Sequence, residues 1–155
     1  MTWFYNGKEV TKEIYQNYCD LGFIGFVYCI TDTRNGKKYI GKKIWISKRK
    51  MPPLKGMKRK RTKIVETDWQ SYYGSSETVK LLVEEFGPEM FHREILRLCK
   101  SKGQMSYYEG KLQFETDCLL KPEEYYNEFI GCRINRRHLL TSMKNGDIID
   151  SIGEK

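Results

Sequence analysis

Gly25-Phe26-Val27-Tyr28 and Lys38-Tyr39-Ile40-Gly41 are the two stretches that decide the fold of this chain, and Asn35-Gly36 lies between them. Two β-rich runs joined across an Asn-Gly pair are typical of an antiparallel hairpin. Strand side chains alternate between the faces of a sheet, so a connecting loop of even length puts Tyr28 and Tyr39 on the same face. Two phenols on one face suggest a site for a phosphate backbone. Ordinary cross-strand aromatic packing is the alternative.

The segments around the hairpin predict helices and one further strand. A short helix is expected near residues 11–19, and strands at about 25–31 and 37–41. Ser75-Ser76-Glu77 offers an N-cap for a helix that ends at Gly87-Pro88. Residues 90–98 are expected to form a third strand, and residues 104–116 another helix. We therefore predict an α+β fold with a small three-stranded antiparallel sheet flanked by helices.

Length and composition indicate one compact globular domain. The 155 residues allow a real core but leave little room for two domains. No run approaches the ~18 apolar residues that a membrane helix needs, and no signal peptide is visible, so an intracellular location is expected. The five cysteines form no Cys-x-x-Cys pair, and we expect reduced thiols with neither a zinc site nor a disulfide framework.

One segment creates the positive charge of the whole chain. The net charge is +8, yet residues 42–63 hold eleven Lys or Arg residues and no Asp or Glu, while the other segments carry 17 basic and 20 acidic side chains, a net of −3. A phosphate-binding segment is the preferred interpretation, and a solvated charge run is the alternative. We expect a short basic helix over 42–50 and an exposed loop up to Thr67. The candidate DNA-binding residues are Lys42, Lys43, Lys48, Lys58, Arg59, Lys60 and Arg61.

These motifs resemble those of the GIY-YIG nuclease domain. Phe26-Val27-Tyr28 stands for the first motif, with Phe in place of Gly, and Tyr39-Ile40-Gly41 matches the second as written. The resemblance continues through the 75–98 helix and strand, the helix that bears Glu109, and Tyr126-Asn127. It implies a nuclease domain over residues 24–128 with a basic insertion at 42–67, an N-terminal extension over 1–23 and a basic C-terminal extension over 129–155.

The resemblance also implies an activity: hydrolysis of DNA phosphodiester bonds with one divalent ion, Mg²⁺ or Mn²⁺. Glu109 would be the metal ligand, because a hard cation prefers oxygen donors, and Glu115 is the rival if the register differs. Either Tyr28 or Tyr39 would position or deprotonate the water. Asn127 is a further site residue. The phosphate-binding arginine is taken as Arg49, with Arg61 as the alternative.

Two classes of function remain open from the sequence. The first is a metal-dependent DNA endonuclease, whose small size fits a phage or mobile-element enzyme of the homing or restriction type, acting in the cytoplasm of a bacterial or phage-infected host cell. The second is a non-catalytic nucleic-acid-binding module that uses the same basic segment. A protein-interaction domain is a third, less specific possibility. A pure binder has no use for Glu109 beside two phenols, so these residues favour the enzyme. The partner is DNA, and the oligomeric state is not predicted.

Overall fold

The computed structural model describes residues 2–137 and residue 139, so His138 and residues 140–155 of the predicted C-terminal extension lie outside the described residues. The strands and helices, in chain order, are β1 (Trp3–Tyr5), β2 (Lys8–Glu9), α1 (Lys12–Asp20), β3 (Gly25–Asp32), β4 (Lys38–Ile44), β5 (Ile46–Met51), β6 (Arg61–Glu66), α2 (Glu77–Phe86), β7 (Phe91–Cys99) and α3 (Lys102–Glu115). Within this described part, no helix is long and apolar enough to cross a membrane.

The main sheet contains the three predicted strands and two more. Its order is β2-β1-β7-β3-β4, and the antiparallel group β7-β3-β4 is the predicted sheet. The expected three-stranded antiparallel sheet is thus too small, because β1 adds in parallel to β7 and β2 pairs with β1. Trp3 explains the addition, since its buried indole packs against Phe26 and Tyr28 of β3. The observed fold is α+β with a mixed five-stranded sheet.

Local capping signals set the three helices, and the cap of α2 within Ser75-Ser76-Glu77 is as predicted. Thr11, Ser76 and Ser101 are the N-caps, and each side-chain oxygen accepts a backbone N–H from the first turn. Helix α2 stops at Gly87, whose φ of 92° suits glycine, and Pro88 follows directly. The predicted bounds of all three helices agree with the structure to within two residues.

The core lies on both faces of β3, because its side chains alternate. Phe26, Tyr28 and Ile30 face an aromatic cluster that includes the three tryptophans, while Val27 faces α3 and packs near Met105. The sheet is therefore covered by α1 and the Trp69–Ser71 turn on one side and by α3 on the other. This arrangement leaves β4 as an edge strand that packs against α3.

The basic insertion is a β-ribbon, which corrects both expectations for it. The predicted helix over 42–50 does not form: β4 runs on to Ile44, and β5 then pairs antiparallel with β6 as a separate two-stranded sheet. The segment expected to be a loop up to Thr67 contains β6. β-branched residues at alternate positions stabilise the pairing, and Pro52-Pro53 lies in the connection, where no ladder hydrogen bond is needed.

Candidate active site

The hairpin brings Tyr28 and Tyr39 to the same face of the sheet, as predicted. Thr31 pairs with Lys38, which leaves residues 32–37, an even number, in the connection. The two phenol rings lie diagonally across the strand pair, with centroids 6.3 Å apart. The register between β3 and β7 shifts between Val27 and Tyr28, so a β-bulge lies directly beside the first tyrosine.

Glycines make room for both rings. A Cβ at Gly41 would overlap the Tyr28 hydroxyl. The Tyr28 side chain, from the first motif, therefore packs directly on the backbone of Gly41, from the second motif. Gly74 has a φ of 92°, and a Cβ there would come 3.2 Å from the Tyr39 ring. The motif residues are thus explained by close approach of an aromatic ring to backbone.

Tyr28 is fully buried, and its hydroxyl makes no hydrogen bond. Burial raises its pKa well above the usual value, and the neighbouring phenols of Tyr72 and Tyr39 and the carboxylate of Glu109 add to the effect. Tyr28 is therefore a neutral phenol at pH 7. Because an unsatisfied buried hydroxyl costs free energy, it marks a place where packing alone does not explain the residue.

Tyr39 is half-buried, and its hydroxyl lies 3.0 Å from that of Ser75, just before α2. Burial raises the pKa of Tyr39, and the contact with Ser75 partly offsets the increase. Ser75 follows the turn that carries Tyr72, so this loop and β4 together determine where the Tyr39 hydroxyl points. It points into the cavity described below.

Glu109 and Lys42 lie close together on the α3 face of the sheet, opposite the face that carries Tyr39. Lys42 follows Ile40 on the sheet face that α3 covers, and its Nζ donates to Ser106 Oγ at 2.8 Å and lies 3.8 Å from Glu109 Oε1. The Glu109 side chain is only 15% exposed. Burial raises the pKa of this carboxyl, and the positive charge of Lys42 lowers it again in part. Helix α3 thus holds a carboxylate in a poorly solvated position beside one cation.

A cavity of about 490 Å³ joins these groups at the outer edge of β4. Both sheet faces contribute, since Tyr39 comes from the aromatic face and Glu109 from the α3 face. The first turn of α2 also opens onto it, and Lys42 is the one basic side chain among its described lining residues. The lining residues are Tyr39, Lys42, Ser75, Ser76, Glu77, Thr78, Glu109, Gln113, Tyr126, Asn127, Glu128, Phe129 and Gly131.

Asn127 lines the cavity, but its amide is occupied by the backbone of β4. Its Oδ1 accepts from Ile40 N–H at 3.0 Å, and its Nδ2 donates to Ile40 C=O at 2.9 Å. The Gln113 amide donates to the same carbonyl at 3.0 Å. Asn127 therefore acts like an extra strand residue beside β4, and this geometry gives it a positioning role rather than contact with a reacting group.

The structure does not bring the predicted arginines to the cavity. Arg49 lies on β5 and Arg61 begins β6, and both side chains are exposed on the ribbon. Lys43 is also engaged elsewhere, since it donates to Asp68 Oδ1 at 2.6 Å and lies over the Tyr72 ring. The other DNA-binding candidates are exposed on the ribbon or in its connection, namely Lys48, Lys58, Arg59 and Lys60. Lys42 is the predicted cation that reaches the site.

Two contributors were not predicted as site residues. Arg93 is buried on β7 and donates to the carbonyls of Gln70 and Tyr72, at 2.9 Å each, so it holds the turn that packs against Tyr28. A buried arginine on an alternating strand carries no signal of this role in the sequence. Ser75 was recognised only as part of a helix start, and its contact with Tyr39 depends on tertiary structure.

The donor set fits a divalent metal held by few protein ligands. Within the described residues, no three His, Cys, Asp or Glu side chains cluster closely enough to form a complete metal cage. Glu109 instead presents one partly buried carboxylate to an open cavity that Tyr39 also lines. Mg²⁺ is usually bound by one or two carboxylates together with water and substrate phosphate, so such a site suits it.

Comparison with known proteins agrees with this architecture. The family model described as "Putative endonuclease segE, GIY-YIG domain" matches residues 3–130, which is most of the chain and includes β1 and Trp3. Neither the comparison with curated proteins nor that with solved structures gives a match. The match spans Tyr28 and the cavity-lining residues Tyr39, Glu109 and Asn127. This chain is a member of the GIY-YIG nuclease family.

Proposed function

We propose that this protein is an endonuclease that hydrolyses phosphodiester bonds of DNA with the help of one divalent metal ion. The observation that carries the proposal is the convergence of Tyr39, Lys42 and Glu109 on one cavity at the open edge of β4, in a chain of the GIY-YIG family. The adjoining basic ribbon supports a polyanionic substrate. We propose a phage or mobile-element enzyme of the homing or restriction type.

Glu109 would hold the metal, Mg²⁺ or Mn²⁺. Such an ion, when bound, neutralises charge that develops on the phosphate and stabilises the leaving oxygen. The poorly solvated carboxylate favours a cation, because a positive charge relieves the cost of ionising a buried acid. Lys42 would contact the same phosphate, and its distance of 3.8 Å from that carboxylate supports this role.

Tyr39 is the phenol that we assign to the attacking water. Its hydroxyl reaches the cavity, whereas that of Tyr28 is buried behind it. Because the pKa of Tyr39 is raised, its resting form is the neutral phenol, which orients water by donating and accepting hydrogen bonds. Tyr28 then fixes the ring packing around Tyr39. Lys42 takes the phosphate-binding place that the sequence assigned to Arg49 or Arg61.

The alternative is a DNA-binding module without catalysis. The exposed basic ribbon alone would serve such a protein. A pure binder, however, gains nothing from a partly buried carboxylate such as Glu109, whose negative charge would repel phosphate. We therefore prefer the enzyme.

Plasmid nicking tests the proposal, with and without Mg²⁺ or Mn²⁺. Glu109→Ala should abolish cleavage and leave DNA binding largely intact, because it removes metal ligation and no phosphate contact. Glu115→Ala is the matched control, since Glu115 lies on the same helix beside Lys111 and outside the cavity lining. If Glu109→Ala cleaves DNA at the normal rate, the site is assigned wrongly. The same holds if only Glu115→Ala loses cleavage.

A further inference from the structure

The ribbon formed by β5 and β6 leaves the body of the protein at one end only. Its base is fixed, because Ile46 packs against the aromatic core and Trp69 Nε1 donates to Glu66 Oε1 at 2.9 Å. Thr67 closes the base through hydrogen bonds with the backbone of Ile44 and Trp45. Beyond this base, β5 and β6 pair with each other and with no other strand of the described chain. The ribbon is an arm.

The register of the arm separates its basic residues onto two faces. Arg49 lies opposite Lys63, and Arg61 lies opposite Met51, so these three cations share one face. Lys48 and Lys50 lie on the other face, opposite Ile64 and Thr62. We call the first the arginine face and the second the lysine face.

The charge arrangement of the arginine face is unfavourable in the free protein. Like charges directly opposite each other destabilise a strand pair, and Arg49 is opposite Lys63. None of the arm's basic side chains forms an ion pair with a carboxylate in the part of the chain that is described. A polyanion would remove this repulsion, so the face is complementary to nucleic acid.

The shape of the arm selects one groove of a DNA duplex. A two-stranded antiparallel ribbon fits the major groove, which is about 12 Å wide, whereas the minor groove is about half as wide. Six paired residues in each strand extend about 20 Å, which matches about six base pairs. Arginine is also the side chain that pairs bidentately with guanine O6 and N7 on the major-groove edge.

We propose that the β5–β6 arm lies in the major groove of duplex DNA, with the arginine face toward the base edges. The proposal rests on the proposed function for the identity of the polymer. It adds which groove is bound and which residues can read sequence. The lysine face then points away from the bases, so its two cations contribute general electrostatic attraction.

Competition between groove ligands tests the proposal. Binding of a short mixed-sequence duplex is measured by fluorescence anisotropy with the full-length Glu109→Ala protein and no added metal, so that cleavage does not enter. Methyl green, which occupies the major groove, should weaken binding at least about tenfold. Distamycin, which occupies the minor groove, should change it little. Displacement by distamycin and not by methyl green would overturn the proposal.

Two charge-matched double variants identify the face. Arg49→Gln with Arg61→Gln should lower affinity by about tenfold or more and remove the sensitivity to methyl green, because the groove contacts are lost. Lys48→Gln with Lys50→Gln removes the same charge, and it should cost less affinity and keep that sensitivity. Equal losses from the two pairs would mean that charge alone matters, and would refute the assignment. Thermal midpoints of both variants check that the arm is still folded.

The outcomes separate this inference from the proposed function. If the protein binds DNA in a methyl-green-sensitive way and never cleaves it, the arm proposal stands and the proposed nuclease function fails. If the protein cleaves DNA with metal and its binding is insensitive to methyl green, the proposed nuclease function stands and the arm proposal fails. Absence of any duplex binding would overturn the arm proposal.

Discussion

At the scale of single residues, the two tyrosines of the hairpin differ in what their hydroxyls can reach. That of Tyr39 lies at the cavity and contacts Ser75, while that of Tyr28 is enclosed without a partner. Both have a raised pKa, chiefly because of burial. Removal of the Tyr39 hydroxyl should therefore affect mainly the cleavage rate, and removal of the Tyr28 hydroxyl should affect the rate little.

We expect Tyr39→Phe to lower the cleavage rate by about a hundredfold or more, because the group that orients the water is lost. Its thermal midpoint should stay within a few degrees, since only one hydrogen bond disappears. Tyr28→Phe should keep most of the rate and melt at the same or a higher temperature, because its hydroxyl makes no hydrogen bond. Rates and thermal melts of both variants check this. The reverse pattern of rates would make Tyr28 the reacting phenol.

The titration of Glu109 should govern the acidic limb of the pH–rate profile. The carboxyl must ionise to hold a metal, so kcat/KM should fall as pH falls through its raised pKa. Lys42→Met removes the nearby positive charge that lowers this pKa, so the limb should move to higher pH, in addition to any general loss of rate. Lys111 lies on the same helix as Glu109 but outside the cavity lining, so Lys111→Met should leave the acidic limb in place. If the acidic limb does not move in Lys42→Met, the charge of Lys42 does not influence the pKa of Glu109.

The same carboxyl should affect stability with a definite sign. A folded-state pKa above the unfolded value means that Glu109 contributes stability below the unfolded pKa, and that this contribution is lost as pH rises through the folded pKa. Glu109→Gln should therefore raise the thermal midpoint above that of the unchanged protein, and this gain should be larger at neutral pH than at acidic pH. Thermal melts across that range, in the absence of metal, measure the difference. A variant that gains stability only at acidic pH would contradict the sign.

At the scale of elements, strand β4 organises the site, and its outer edge is only partly covered. Lys38 N–H donates to Glu124 C=O, and Tyr126 N–H donates to Lys38 C=O, so the returning chain adds to the edge as a strand would. The Tyr126 hydroxyl fixes this segment by donating to Asp32 at 2.7 Å. The cover ends at Ile40, where Asn127 binds. The cavity begins where the edge becomes free.

We expect Asn127→Leu to lower the free energy of unfolding by about 2 kcal/mol, because both backbone groups of Ile40 lose their Asn127 partner in a buried place. Gln113→Leu should cost less, since Asn127 still bonds the Ile40 carbonyl and the Gln113 Oε1 has no hydrogen-bond partner to lose. Urea denaturation of the two variants compares them directly. Equal costs, or a larger cost for Gln113→Leu, would contradict the bidentate role of Asn127.

Local signals allowed the helices and the central hairpin to be predicted, and long-range pairing explains what was missed. Caps and periodicity lie within a few residues of each other, so α1, α2 and α3 could be located. Strand β1 is three residues long and pairs in parallel with β7, about ninety positions away, which no local pattern reports. In β5, lysine and arginine obscured the alternation that favours a strand.

The site was predictable only in its residue types. Tyr39 and Glu109 line one cavity as the family pattern suggests, but the cation beside them is Lys42 and not an arginine. Counting along the chain could not show this, because the inserted ribbon carries Arg49 and Arg61 away from the sheet. Asn127 was expected at the site, and its bond to the backbone of β4 depends on how the chain returns.

At the scale of the whole molecule, charge is divided between an arm and a body. Residues 42–63 are strongly positive, while the other segments together are slightly negative. If the substrate is DNA, as we propose, we expect its long-range attraction to act chiefly through residues 42–63. Such steering orients the duplex before contact and weakens as salt screens it.

Replacing Lys58, Arg59, Lys60 and Arg61 by Gln should flatten the plot of log affinity against log salt. Each lost phosphate contact removes about 0.9 from the slope, so loss of the contacts of Lys58, Arg59 and Lys60 would remove about 2.7. Arg61 lies on the face that we place toward the bases, so it should add little to this change. Gln at four exposed lysines of the body, Lys8, Lys12, Lys80 and Lys121, removes the same charge and should leave the slope nearly unchanged. Equal changes in both variants would mean that net charge, and not the arm, determines affinity.

The glycine beneath Tyr28 has a consequence for how this sequence can drift. Gly41 does not have a positive φ, so its backbone would accept another residue, and the phenol ring and hydroxyl of Tyr28 above it are what exclude a side chain. Mutation at position 41 is therefore constrained for as long as position 28 keeps its large ring. A chain that has lost the tyrosine is free to lose the glycine. The two short motifs are halves of one contact, so we expect the effects of substitutions at positions 28 and 41 to depend on each other.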